Sequence, residues 1–356
     1  MSARLRRPLL VLALTGAAAL GALLDLPAFL RAWLLGWLMW LGVALGAFSL
    51  LCVHHLVGGR WGAAIRPTLA AASETLPVLA ILFLPVALGA RAIFPWTDAA
   101  LLHATPLRAA KAAYLDGTFF LARSLVALAL WSALGVLLAR VPADRLRPGL
   151  AALGLIVHFL AITIGSVDWI LSLDPDTSSS AFGLTIAAGD AVAGLAFAVL
   201  VAGGAAVKPA PARVHDLATM LFACVMLWAY VAFAQFLLVW GADLPRQSEW
   251  YLARSRGAWR WIAGAIVALH FAAPFLLLLF RPIKRHLPAV AAIGALLLLM
   301  HFVELCWLVL PARALLPAGA RTIHWLDLVV PLTLGAWWSA LVSRRLAARP
   351  PEVLPA

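Results

Sequence analysis

The hydrophobic positions of this chain form ten long runs separated by short polar segments. The runs cover residues 8–24, 33–56, 69–90, 117–139, 149–172, 182–205, 216–240, 258–280, 287–310 and 324–343. A helix needs about 20 apolar residues to cross a bilayer core, and the runs show none of the period-two alternation of a membrane β-strand. The pattern predicts an all-α polytopic membrane protein with about ten transmembrane helices. We expect a single membrane domain over 1–356, with a short cytoplasmic tail at 344–356.

Composition and charge agree with this interpretation. Of the 356 residues, 65% are hydrophobic and 12% are charged, whereas soluble domains carry about 25% charged residues. The net charge of +12 does not indicate a nucleic-acid partner, because the arginines lie singly or in small groups between the apolar runs. There they orient helices and contact lipid headgroups. The three cysteines lie inside apolar runs and show no zinc-ligand spacing, so no metal site is predicted.

The distribution of lysine and arginine predicts the topology. If Arg4, Arg6 and Arg7 lie in the cytoplasm, most of the other basic residues also lie on that side. Both termini are therefore expected to be cytoplasmic. A cleaved signal peptide in the first run is the alternative, since three arginines precede its apolar stretch.

Known soluble-enzyme motifs are missing from the sequence. There is no phosphate-binding P-loop, no dinucleotide fingerprint, and no GxSxG or HExxH motif. The remaining candidates for chemistry are ionisable residues inside the apolar runs. Such residues are costly at membrane depth, and they often mark proton or ion paths. The proton-pathway candidates are Glu74, His158, Asp168, Asp190, His270, His301 and Glu304, and the candidate charge partner is Arg123.

The predicted topology places these residues at different depths. Glu74 is expected near the cytoplasmic end, and His158, Asp190 and His270 near the middle of the membrane. The outer half would hold Arg123, Asp168, His301 and Glu304. His301 and Glu304 are three residues apart and share a helix face, so they can form a hydrogen-bonded pair.

Each candidate also has a structural alternative. His158 and His270 can bond to backbone carbonyl groups instead of carrying protons, and they are the two candidates for haem ligation. Arg123 can neutralise an acid or extend to the membrane surface. Asp168 lies near the end of its helix and can serve to fix that end. Pro175 closes this helix, and residues 177–180 are expected to cap the next one.

Several segments resemble a known family in the same order along the chain. They are GGRWGAAIRPTLAAASETLPVLAILFLPVALGARAIFPW at 58–96, KAAYLDGTFFLARSLVALALW at 111–131, GSVDWILSLDP at 165–175 with AFG at 181–183, YVAFAQFLLVWGADLPRQSEWYLARSRGAWRW at 230–261, HFAAPFLLLLFRPIKR at 270–285, and LLMHFVELCWLVLP at 298–311. Together they resemble the ActF-type membrane subunit of bacterial alternative complex III, a member of the polysulfide-reductase (NrfD-like) superfamily. The family usually continues after SLDP with a His-Trp-Tyr-type run, but here Asp176, Thr177 and Ser178 follow.

The resemblance implies ten helices that include two four-helix bundles, in the bacterial inner membrane. It also implies a subunit of a quinol:cytochrome c or quinol:acceptor oxidoreductase complex with no redox cofactor of its own. Quinol, haem c and iron–sulfur clusters are then expected in partner subunits. These partners are a sister membrane subunit, an iron–sulfur/molybdopterin-like subunit and cytochrome c subunits, with quinone as a further candidate ligand of this chain. The expected role is support of assembly and transmembrane proton conduction. A structural anchor and a secondary transporter are the alternatives.

Overall fold

The computed structural model describes residues 3–142, 145–205, 208–242, 245–312 and 323–349. These residues form helices and no strand, which confirms the predicted all-α class. Nine helices in the described part are long and apolar enough to cross a membrane, and they correspond to the second to tenth hydrophobic runs. The first run is the shorter apolar stretch Pro8–Leu24. The chain is a multi-pass membrane protein.

The ten long helices follow one another along the chain. They are α1 (Ala3–Leu24), α2 (Leu26–Val57), α3 (Arg60–Leu88), α4 (Gly117–Ala139), α5 (Pro148–Trp169), α6 (Phe182–Gly204), α7 (Pro211–Gly241), α8 (Trp259–Leu279), α9 (Leu287–Val309) and α10 (Leu326–Ala347). Short helices lie between them at Ala90–Ile93, Pro95–Thr97, Ala99–Leu102, Pro106–Ala110, Leu171–Leu173, Pro245–Ala253 and Arg281–Arg285. Of the predicted tail, residues 344–347 belong to α10, and residues 350–356 lie outside the described part.

Prolines interrupt two of the long helices. α3 consists of Arg60–Ser73, Leu76–Ile81 and Leu84–Leu88, and the last two segments each carry proline at the second position, where its missing N–H is tolerated. In α8, the segment Ile266–Ala272 is π-helical. Pro274 follows it and has no N–H to donate to the carbonyl group of His270 four residues earlier. This lost bond favours the wider turn.

The helices pack as two four-membered rings. In the first bundle, α2 packs on α3 and α5, and α4 packs on the same two helices. In the second bundle, α6 packs on α7 and α9, and α8 contacts the same two helices. The α2–α6 contact joins the bundles, and α10 packs outside on α2 and α3, with α1 beyond it. This is the arrangement of two four-helix bundles with peripheral helices.

Glycines allow α2 and α6 to approach closely. A Cβ at Gly46 would lie 1.7 Å from the backbone oxygen of Asp190, and one at Gly42 would lie 2.5 Å from Oδ1 of the same residue. On the facing helix, a Cβ at Gly194 would lie 2.4 Å from the backbone nitrogen of Ala47. Small residues of this kind let membrane helices pack backbone to backbone. The contact places Asp190 at the junction of the two bundles.

The connections give the molecule two distinct ends. One end, called here the long-loop side, carries segments 89–116, 170–181 and 242–258. The opposite end, the short-loop side, carries the connections at 58–59, 140–147 and 205–210. Helix α6 starts on the long-loop side at Phe182, with Ala181 as its N-cap and no side-chain cap bond. The expectation that residues 177–180 cap this helix was therefore wrong.

Candidate functional site

The second bundle buries a group of titratable side chains from three helices. Asp190 lies on α6, His270 on α8, and His301 and Glu304 on α9, and none of the four is more than 8% exposed. Trp228 of α7 contacts two of them. We call these five residues the central cluster. Every helix of the second bundle thus contributes to it.

Two acid–imidazole pairs lie side by side in the central cluster. His301 Nε2 is 3.8 Å from Asp190 Oδ1, and His270 Nδ1 is 3.6 Å from Glu304 Oε2. These distances slightly exceed hydrogen-bond length, and the ring nitrogens of both histidines have no hydrogen-bond partner among the described residues. Buried polar atoms normally have a partner. Small side-chain movements would bring each pair within range for proton transfer.

Trp228 holds one of the two pairs in place. Its Nε1 donates a hydrogen bond of 2.9 Å to Glu304 Oε1, and its ring stacks on the His270 imidazole with centroids 4.2 Å apart. His270 itself lies in the π-helical turn of α8. Such turns are frequent at functional sites, because they displace a side chain from regular helical register.

The charges in the central cluster differ from those of an ordinary buried ion pair. Among the described residues, the ion pairs of Asp190 and Glu304 are with histidines. An imidazole is charged only when it holds a proton, and its second ring nitrogen can accept one. The net charge of the cluster can therefore change by gain or loss of protons. Within the described segments, no group of three or more His, Cys, Asp or Glu side chains is arranged to hold a metal ion.

Asp168 lies in the first bundle in a very different environment. Arg123 Nε donates to Asp168 Oδ2 at 2.8 Å, and Arg123 Nη2 donates to Asp168 Oδ1 at 2.9 Å. The guanidinium also lies over the rings of Tyr114 and Phe119, at 3.9 and 4.0 Å. A bidentate arginine–carboxylate pair is among the strongest charge-assisted contacts. The geometry gives Arg123 the role of charge partner and gives Asp168 a structural setting.

Two further predicted residues also lie apart from the central cluster. Glu74 Oε1 is 3.2 Å from Nη2 of Arg349, which follows α10. His158 is 1% exposed, and its ring lies near Phe48 and Trp131, with centroids 6.1 Å away in both cases. Its two nitrogens have no hydrogen-bond partner in the described part of the chain.

The two histidines considered for haem ligation have different neighbours. His158 lies among aromatic side chains of the first bundle, whereas His270 stacks on Trp228 of the second. The contacts of the two rings therefore give no sign of a shared haem pocket.

The depths expected from the sequence need one correction. His301 and Glu304 were placed closer to the outer surface than Asp190 and His270, but the structure pairs the two groups directly. Asp190 and His301 both lie about two helical turns from the long-loop ends of their helices, so they lie at one level.

Sequence reasoning also missed Trp228, which had no signal that separated it from the other tryptophans.

Outside the spans, a polar network fixes the long-loop side. Arg108 Nε donates to Asp176 Oδ1 at 2.8 Å, and this hydrogen bond raises the pKa of Arg108 above its ordinary value. Arg254 donates from its guanidinium to the carbonyl oxygens of Trp250, Trp307 and Leu308. Burial lowers the pKa of Arg254 to about 9. These contacts fasten the connections to the helix ends.

Comparison with protein-family models and with curated proteins finds no match for the chain. The functional interpretation therefore depends on the residues themselves and on the segment resemblance described above.

Proposed function

We propose that this chain is a membrane subunit of a bacterial quinol:cytochrome c or quinol:acceptor oxidoreductase complex, and that its central cluster takes part in transmembrane proton transfer. The observation that carries the proton role is the burial of two carboxyl and two imidazole groups as adjacent pairs. The order of the family-like segments supports membership of the complex. Under this proposal the redox cofactors belong to partner subunits, and both termini lie in the cytoplasm.

The geometry supports proton exchange within each pair. A proton on the Glu304 carboxyl group can pass to Nδ1 of His270, and one on Asp190 can pass to Nε2 of His301. Since His301 and Glu304 are three residues apart on α9, the two pairs are neighbours along one helix face. Positioned carboxyl and imidazole groups are the usual carriers in general acid–base chemistry. Quinol oxidation in a partner subunit would drive the transfer.

Of the predicted proton-pathway candidates, this proposal keeps the four in the central cluster and leaves out Asp168 and Glu74. Asp168 is held by Arg123, and Glu74 is paired with Arg349. Each of these acids is paired with an arginine rather than with a histidine, and a guanidinium group donates hydrogen bonds but does not accept a proton. Under the proposal, neither acid carries the transferred proton.

Membership of the complex is tested by purification of the tagged chain from its own membranes. We expect it to elute together with subunits that contain haem and iron–sulfur clusters. Elution as a colourless single protein that moves a substrate across liposomes would contradict membership and support a transporter.

The proton role is tested in the purified complex reconstituted into liposomes, with the proton-to-electron ratio as the readout. Asp190→Asn and Glu304→Gln should lower the ratio while quinol oxidation continues, because an amide cannot carry the proton. Glu74→Gln is the control, because Glu74 lies outside the proposed path, and it should leave the ratio of the assembled complex unchanged. Unchanged ratios in both cluster variants, with reduced assembly instead, would favour a purely structural anchor.

A further inference from the structure

A cavity of about 440 Å³ lies on the long-loop side, away from the central cluster. Its wall is formed by the segment before α4, the end of α5 and the turn that leads to α6. No residue of the central cluster lines it. The cavity therefore requires its own explanation.

One part of the cavity wall is polar and carries a positive charge. Lys111 Nζ donates to the carbonyl oxygens of Pro175 and Thr177, at 2.7 and 2.8 Å. A lysine ammonium group has three protons to donate, so one remains for a ligand. The hydroxyl groups of residues 177–180 line the same space, and they make no cap bond to α6.

Each acid near the cavity has another cation as its partner. Asp176 accepts two hydrogen bonds from Arg108, so that pair is neutral overall. Asp174 has a favourable charge interaction with the buried guanidinium group of Arg254. Tyr114, also on the wall, is hydrogen-bonded to Asp168, and that acid is paired with Arg123.

The other part of the cavity wall is apolar and continues onto the membrane surface of α5. Val167 and Leu171 line the cavity. Ile164 and Leu160, which precede them at helical spacing, are 40% and 64% exposed. Residues three and four apart share a helix face, so Leu160, Ile164 and Val167 form a strip about 10 Å long on α5. Leu171 follows in the short turn after the helix. This strip matches a lipid chain that runs from the bilayer to the cavity.

We infer that the cavity binds a phospholipid, with its phosphate beside Lys111 and residues 177–180 and an acyl chain along the α5 strip. The phosphate offers acceptor oxygens, and the ammonium and hydroxyl groups can donate hydrogen bonds to them. Lysine is a common phosphate ligand. A quinone head also carries hydrogen-bond acceptors, but it lacks the negative charge of the phosphate, which the lysine would favour.

Native mass spectrometry of the full-length detergent-purified protein tests this inference, with phosphatidylglycerol as the probe and decylubiquinone as its competitor. We expect wild-type protein to retain phosphatidylglycerol, and Lys111→Met to bind it about tenfold more weakly, equivalent to one charge-assisted hydrogen bond. Lys208→Met is the matched control, because Lys208 is exposed on the short-loop side. It should bind phosphatidylglycerol as wild type does.

A second variant covers the case in which Lys111→Met does not fold. Val167→Trp would obstruct the apolar strip and remove no hydrogen bond, and we expect it to lose the lipid as well. Equal lipid binding by wild type and Val167→Trp would overturn the inference. Displacement of phosphatidylglycerol by equimolar decylubiquinone would overturn it too, since the cavity would then be a quinone site.

Discussion

The first and second bundles bury the same kinds of ionisable side chain, but they surround them differently. In the first bundle, Asp168 is fixed by two hydrogen bonds from Arg123. In the second, Asp190 and Glu304 face histidines at 3.8 and 3.6 Å. The first acid faces a guanidinium group, which only donates hydrogen bonds, whereas an imidazole can take or give the proton of the second. The identity of the partner distinguishes a structural acid from a candidate proton carrier.

The largest expected effect comes from breaking the ion pair of the first bundle. Asp168→Asn should lower the free energy of unfolding by about 3–5 kcal/mol, because it leaves the Arg123 charge buried without its partner. Unfolding in mixed detergent micelles measures this change. The double variant Arg123→Met/Asp168→Leu should recover most of the loss. If Asp168→Asn were as stable as wild type, the structural interpretation of this pair would be wrong.

The contact that joins the bundles should be the next most sensitive feature. Gly46→Ala places a methyl group against the backbone of Asp190, and overpacking of this kind costs about 1–3 kcal/mol. The same unfolding measurement applies. Gly16→Ala is the control, since no atom lies within 4 Å of a Cβ at that position, and it should be neutral or slightly stabilising. Equal stability of the two variants would show that α2 and α6 are not in close contact.

A matched pair of tryptophans isolates the hydrogen bond in the central cluster. Trp228 Nε1 donates to Glu304, whereas Trp131 is also buried and its Nε1 has no partner among the described residues. Both Trp→Phe changes remove similar volume, but only Trp228→Phe breaks a bond. We expect Trp228→Phe to be the more destabilising by about 1 kcal/mol. No difference between their unfolding free energies would remove the assigned role of Trp228.

The smallest expected effect concerns Glu74 near the short-loop side. Its pair with Arg349 has partly exposed side chains, at 13% and 18%, and such pairs contribute about 0.2–1 kcal/mol. Glu74→Gln should therefore lower the unfolding free energy by no more than this, and the loss should shrink in high salt. If Glu74→Gln lowered the unfolding free energy as much as Asp168→Asn does, and independently of salt, the Glu74–Arg349 pair would not be a weak, partly exposed pair.

The sequence predicted the fold well, because membrane helices can be recognised from the length and hydropathy of their apolar runs. It placed the start of α2 too late, since Arg31 interrupts the apolar run. Local signals mark the true start: Asp25 accepts a 2.9 Å hydrogen bond from the backbone N–H of Ala28, and Pro27 lies in the first turn. Reading these cap signals before the hydropathy would have corrected the boundary.

The site was harder to predict, because it depends on how each helix is rotated about its axis. Counting from the helix ends would have brought Asp190 and His301 to one level, but the sequence analysis placed them at different depths. It could not show that Asp168 faces Arg123 while Asp190 faces a histidine. That outcome depends on the glycine contact at Gly46 and on the π-helical turn around His270, and both are products of three-dimensional packing.

We propose that the acids of the second bundle exchange protons while Asp168 does not. Infrared difference spectroscopy of the reconstituted protein between two pH values detects carboxyl groups that gain or lose a proton. We predict a protonated-carboxyl signal that diminishes in Asp190→Asn and in Glu304→Gln and persists in Asp168→Asn. A signal that persists in both cluster variants, or one that disappears in Asp168→Asn, would contradict the account.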